Sequence, residues 1–167
     1  YKYIPAYKNG IYGVAKSAAT STAVSRVAEA LKIGYYEVPT GWKYFCNLMD
    51  SNRITFCGEE SFGTGSSHIR EKDGIWAVLF WLSIIAATGK SVQEITEEHW
   101  KKYGRSHYMR NDYEGLDTDV ANKLMADLEN RLPTLAGKTF GAYTVSEAKP
   151  FIYNDPVDGS STKNGLI

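Results

Sequence analysis

The apolar positions of the chain follow two periods in turn, and their order predicts the architecture. Ala23, Val24, Val27, Ala28 and Leu31 recur at helical spacing with Arg26, Glu29 and Lys32 opposite, and Thr20-Ser21-Thr22 offers N-caps. A helix from about Ser21 to Lys32 is therefore predicted, with a candidate strand at Gly10 to Val14 before it. Gly34 breaks the helix, and Tyr35-Tyr36-Glu37-Val38 favours a pleated sheet. Trp42 to Met49 has the pattern of a second amphipathic helix, and Arg53 to Cys57 that of the next strand. Ile75 to Ala87 is apolar nearly all round but shorter than the ~18 to 20 residues of a membrane span, which predicts a buried core helix. Ser91 opens a further helix through a capping box with Glu94, placing Val92, Ile95, His99, Trp100 and Tyr103 on one face. Glu97-Glu98 and Lys101-Lys102 are spaced for i,i+4 pairing on its wet side.

Near Tyr103-Gly104-Arg105 the character changes, and a domain boundary is expected there, dividing 1–103 from 104–167. Ser106 to Glu114 is aromatic and strand-favouring, and a helix is predicted from about Asp117 to Leu132, with Val120, Leu124, Met125, Leu128 and Leu132 in one stripe. Lys138 to Val145 and Phe151 to Tyr153 are short strand candidates, and the tail from Asp155 is a turn leading into another. Helix and strand alternate in the first part, an α/β signature; the second suggests part of a small α+β domain.

Composition narrows the functional classes. Among 167 residues, 19 basic side chains balance 19 acidic ones, which leaves no electrostatic footprint for nucleic acid or an anionic membrane. Cys46 and Cys57 lie in apolar surroundings and are expected to be reduced core thiols of a cytoplasmic protein. Three histidines without spaced partners give no metal site, and Asp155 and Asp158 lack the spacing of an EF-hand loop. The start, Tyr1 to Ala6, has no apolar run of signal-peptide length, and the chain has the look of a piece of something longer.

The candidate chemistry sits between Cys57 and Gly74. A reversal needs about two to five residues, and this stretch is far longer. Its carboxylates accept from sugar hydroxyls, its Ser and Thr donate and accept, and its glycines let backbone come close, which suits a polyhydroxylated ligand; a merely solvated connection is the plainer reading. Glu59 and Glu60 follow a strand directly, so their side chains are expected to point to opposite sides. Lys72, next to a helix start, is suited either to acid/base chemistry, if partly desolvated, or to neutralising a phosphate. The turn Val38-Pro39-Thr40-Gly41-Trp42-Lys43 lies outside a strand's carboxyl end, where open α/β sheets bind ligands.

Gly58-Glu59-Glu60-Ser61-Phe62-Gly63-Thr64-Gly65 and His68-Ile69-Arg70-Glu71-Lys72-Asp73-Gly74 closely resemble the sugar-binding loop of the phosphoglucomutases, in the alpha-D-phosphohexomutase superfamily. Matches continue in order through Lys102-Tyr103-Gly104-Arg105, Asp112-Tyr113-Glu114 and Asp155 to Ser160. The resemblance implies a mixed sheet flanked by helices, the third domain of four, followed by the opening of the fourth. It implies interconversion of glucose 1-phosphate and glucose 6-phosphate through glucose 1,6-bisphosphate, with a phosphoserine and Mg²⁺ supplied elsewhere in the full-length protein and no cofactor bound by this chain. It further implies that Glu59 and Ser61 bind sugar hydroxyls, that Thr40 and Gly41 line the same cleft, that Lys72 stands near the reacting oxygen, and that Arg70 gives electrostatic support. Arg110 matches an arginine near the domain junction, where an ion pair between domains and a ligand contact are both open. The implied partners are a hexose phosphate and the remaining domains of the same chain. The phosphoserine loop, the Asp-Gly-Asp-Gly-Asp loop and a basic phosphate loop are not in this sequence, so the chain alone is expected to be inactive. Lys16 to Ser21 departs from the usual Arg-Ser-Met-Pro-Thr-Ser. A catalytically silent binding or scaffold protein of the parafusin-like branch is the competing expectation.

Overall fold

The computed structural model describes residues 4–166; residues 1–3, part of the N-terminal stretch considered above, and residue 167, the end of the tail, lie outside the described residues. The chain divides into two compact units, Tyr1–Tyr108 and Met109–Ile167.

The first unit is built on a four-stranded mixed sheet in the order β2-β1-β3-β4, from β1 (Gly13–Ser17), β2 (Gly34–Val38), β3 (Phe56–Gly58) and β4 (Thr64–Ser66). β1 pairs in parallel with both β2 and β3, and β4 returns antiparallel to β3 with Cys57 opposite Gly65. Helix α1 (Ala23–Leu31) joins β1 to β2, and α2 (Lys43–Asp50) joins β2 to β3. The chain steps one way from β1 and the other way from β2, so right-handed crossovers put the two helices on opposite faces of the sheet. Lys32 ends α1 in the left-handed conformation, its N–H turned back to the Ala28 and Glu29 carbonyls.

Strand alternation then sorts the packing. Phe56 faces α3 (Gly74–Thr88), its ring 5.9 Å from Trp76, 5.5 Å from Phe80 and 4.8 Å from Tyr7. Its neighbour Cys57 points the other way, toward α2, whose Phe45, Leu48 and Met49 are buried beside Ile54. Burying each such side chain contributes roughly 1.5–3 kcal/mol before conformational entropy is counted, enough to make this face the rigid floor of the loops above it. Helix α4 (Val92–Tyr103) carries the expected Ser91–Glu94 capping box.

Several expectations change. The first strand lies three residues later than its candidate, β3 begins only at Phe56 within the strand expected from Arg53, and β4 occupies ground that the pattern leaves as loop. Apolarity predicts α3 to be buried, yet none of its residues is; Ile75 is 77% exposed and Val78 59%. The sheet covers only the Trp76–Phe80 side, and among the described residues nothing covers the rest. On α4, Glu98 pairs with Lys90 at 2.5 Å, and Gln93 donates to Glu97.

In the second unit, α5 (Thr118–Arg131) is capped by Asp117. Two hairpins follow, β5 (Thr139–Phe140) with β6 (Tyr143–Thr144), and β7 (Pro150–Asn154) with β8 (Ser161–Leu166). Buried Asp155 organises the turn of the second hairpin by accepting from the Val157 amide at 2.8 Å. Residues 104–114 form no strand, because no neighbouring strand pairs with them; Arg110 instead lies 2.7 Å from Asp112.

Candidate functional site

The parallel strands β1, β2 and β3 all end at the same edge of the sheet, and their following loops make its rim. The connection after β1 leads to one side and that after β3 to the other, so the two diverge between neighbouring strands, the point at which open α/β sheets leave a crevice. A cavity of about 240 Å³ opens there, lined by Lys16 and Thr20 from the β1 side and by Gly58, Glu59 and Thr64 from the β3 side. Ser17 ties the two sides together by donating to Glu60 Oε2 at 2.9 Å.

Glu60, the first residue of the turn, thus binds Ser17 of β1, while its neighbour Glu59 borders the cavity and has other partners. Glu59 Oε2 lies 2.6 Å from Lys72 Nζ and accepts from Ser61 Oγ at 3.3 Å. The tight turn that places Ser61 is closed by two backbone bonds, Glu59 N–H to the Gly63 carbonyl at 2.8 Å and Phe62 N–H to the Glu59 carbonyl at 3.2 Å. Phe62 takes a left-handed conformation at the tip, with 91% of its surface exposed.

The hairpin partner strand brings Lys72 back to Glu59. The Asp73 amide donates to the Thr64 carbonyl at 3.1 Å, and the lysine stem then runs over Gly63, where an added Cβ would come within 2.7 Å of Lys72 Cδ. Gly65 is closely packed as well: a Cβ there would stand 3.0 Å from the Glu71 carbonyl and 3.1 Å from the Trp42 ring, so one of them would have to give. The Glu59 carboxylate, first through its hydrogen bond, holds the Lys72 ammonium above its ordinary pKa. Desolvation pulls the other way but is outweighed by Glu59, so Lys72 is a cation at neutral pH.

The other sequence-derived residues occupy different places. Thr40 is exposed, and Gly41 sits in the left-handed half of backbone space beside the Tyr44 ring. Both belong to the turn that leads into Trp42, whose indole reaches Lys72 and Gly65. Arg70 points to α2, with Nε 2.6 Å from Asp50 Oδ1 and Nη1 donating to the Ser67 carbonyl at 2.8 Å. The structure therefore gathers Glu59, Ser61 and Lys72 in direct contact and holds Arg70 in a brace. Thr40, Ser61 and Lys72 do not line the cavity that Glu59 borders. Trp42, Lys16 and Ser17 were not singled out from the sequence; the adjoining Gly63-Thr64-Gly65 was the available sign that something bulky approaches this hairpin.

Burial pushes the Cys57 thiol up to about 12, with Cys46 and Glu59 adding to the effect, so it is a packed thiol at neutral pH. Among the described residues no group of three or more His, Cys, Asp or Glu side chains is placed to hold a metal ion.

At the far end of the loop, Asp73 caps α3 by accepting from Trp76 N–H at 2.8 Å and lies 2.9 Å from His68 Nε2. The Trp76 amide first, then His68, hold its carboxyl below the ordinary 3.8. A carboxylate with a lowered folded value contributes stability in full above its unfolded value and loses it as the pH falls through the folded one. The Trp76 amide resonance is therefore expected to titrate with a midpoint below 3.8 in an NMR pH series. Asp73→Asn, which keeps a capping oxygen, is expected to abolish the step without unwinding the helix. A midpoint at or above 3.8 would show that the cap is not formed in solution.

The family pattern described as Phosphoglucomutase/phosphomannomutase, alpha/beta/alpha domain III matches residues 1–103, and that described as Phosphoglucomutase-1, C-terminal domain matches residues 105–167. This chain belongs to the phosphoglucomutase/phosphomannomutase family. It is 56% identical over 163 residues to the phosphoglucomutase of Rhizobium radiobacter, covering 98% of this chain and 30% of that one. Human phosphoglucomutase-1 is 54% identical, with 94% and 29% covered. Among solved structures, the open form of Paramecium pp63/parafusin, an exocytosis-sensitive phosphoprotein and phosphoglucomutase, superposes with a TM-score of 0.84 at 48% identity, covering 95% of this chain and 28% of that one. The family chain described here thus spans about 30% of the length of the curated relatives that it matches. No single helix among its described residues is long and apolar enough to cross a membrane.

Proposed function

We propose that this chain is the sugar-recognising portion of a cytoplasmic phosphoglucomutase that interconverts glucose 1-phosphate and glucose 6-phosphate through glucose 1,6-bisphosphate. Residues 1–103 correspond in this reading to most of the third domain, and 104–167 to the start of the fourth. One observation carries it: a carboxylate, a hydroxyl and a fixed cation, Glu59, Ser61 and Lys72, meet on one loop beside the sheet's crevice. Glu59 accepts from sugar hydroxyls and Ser61 both donates and accepts, so a hexose is held by bonds that survive when it turns end for end. Thr40 and Gly41 support the ring from the neighbouring turn, and Arg70 braces the loop through Asp50.

Lys72 enters the reaction charged. A sugar hydroxyl that takes up Glu59 Oε2 displaces the partner that holds the lysine's proton, so binding itself makes Lys72 a better acid toward the reacting oxygen. Phosphoryl transfer depends on positioning and charge stabilisation. Mg²⁺ and the phosphoserine therefore come from the remaining domains of the full-length protein, and the 167-residue chain alone does not turn over.

The test is an assay of the full-length protein with glucose 1-phosphate and Mg²⁺, beside Glu59→Gln. Activity is expected in the parent, and a loss of about 10²-fold or more in kcat/KM in the variant, whose amide places an N–H donor where an acceptor is needed. Equal rates would rule out this role for Glu59. A parent that binds hexose phosphate but never converts it would support the silent, parafusin-like scaffold reading instead.

A further inference from the structure

We propose that Trp42 is the positioning residue of this site: one indole clamps the backbone at Arg70 and walls the ammonium of Lys72, aiming the lysine at Glu59 before a sugar arrives. The inference rests on the reading of Lys72 as the cation at the reacting oxygen. It concerns what puts that cation in place.

Four contacts of Trp42 converge on this role. Its Nε1–H donates to the Arg70 carbonyl at 3.0 Å, two residues before Lys72. Its ring lies 5.6 Å from Lys72 Nζ, within the reach of a cation–π attraction. Its edge fills the space above Gly65, where a Cβ would sit 3.1 Å from it. Behind it, the buried Phe45 ring supports it edge-on at 5.1 Å. The lysine thus has an aromatic wall on one side, the bare backbone of Gly63 beneath its stem and a carboxylate at its tip. A half-exposed lysine has many rotamers, and a slot of this kind removes most of them. Trp42 also opens α2 directly after Thr40-Gly41, so the same side chain couples the turn that supports the sugar to the loop that binds it.

The test compares Trp42→Phe, which keeps a ring but no N–H, with Trp42→Leu, which keeps neither. In the isotope-labelled 167-residue chain, the Lys72 side-chain methylene protons are expected to lie upfield of those of other lysines in the parent. They should keep part of that displacement in the phenylalanine variant and lose it in the leucine variant. In the full-length protein, Trp42→Leu is expected to lower kcat by roughly 10- to 100-fold with KM changed by no more than about threefold, and Trp42→Phe to recover most of the loss. A Lys72 signal that matches the other lysines in the parent overturns the proposal, even if the leucine variant fails to fold. So does an unchanged kcat in a folded Trp42→Leu protein. Lys72→Met separates the two levels: if it leaves turnover intact, the reading of the site fails, whereas if it abolishes turnover while Trp42→Leu does not lower kcat, only the role of Trp42 fails.

Discussion

Lys72→Met in the full-length protein is expected to lower kcat by about 10²- to 10⁴-fold, the range for removing a positioned proton donor, while the KM for hexose phosphate moves only a few-fold. Methionine reproduces the unbranched stem that lies over Gly63 and beside Trp42, so the substitution removes the charge and little of the packing. Glu59 and Ser61 remain to hold the sugar, which is why binding is spared. Steady-state kinetics with glucose 1-phosphate check both halves. A rise in KM with kcat unchanged would make Lys72 a binding group rather than a participant in the chemical step.

The largest expected effect on stability lies beneath the site, at Glu37. Lys16 is 97% buried at its side chain, and its ammonium lies 2.5 Å from Glu37 Oε2, with weaker bonds to the Ser17 and Ala18 carbonyls. Tyr35 donates to the same carboxylate oxygen, and burial, then Glu37, hold its phenol above its usual range. Removing the carboxylate strands an ammonium in the sheet, whereas removing the ammonium leaves a carboxylate that is one-third exposed and reached by water. Glu37→Gln is therefore expected to cost about 3 kcal/mol, and Lys16→Met only about 1 kcal/mol. Against a total of about 5–15 kcal/mol the first is a large share. Urea unfolding of both variants checks the asymmetry; equal losses would mean that attraction across the pair, rather than the buried ammonium, sets the cost.

The elements of the first unit were legible because each stated its own requirement. The 3.6-residue recurrence from Ala23 to Leu31, the β-favouring Tyr35 to Val38 and the Ser91–Glu94 capping box are local signals, and the folded chain uses them locally. What was not legible depends on partners. Thr64-Gly65-Ser66 has no apolar alternation and becomes a strand only through register with Phe56 to Gly58. The composition of α3 states what that helix would bury, but not how much of it the sheet covers. Ser106 to Glu114 has strand-favouring residues and no strand beside it. At the loop, Glu59, Ser61 and Lys72 were named through the family resemblance, whereas Trp42 lay in the candidate turn with nothing in its type to show that it reaches Lys72.

The bond from Ser17 to Glu60 has a consequence for how such a site diverges. Glu60 is the immediate neighbour of Glu59, the carboxylate proposed to face the sugar, and Ser17 also shares its hydroxyl with Thr20, at 2.7 Å. On the proposed reading of the loop, a substitution at Ser17 or Thr20 would therefore reach Glu59 indirectly, through the residue beside it.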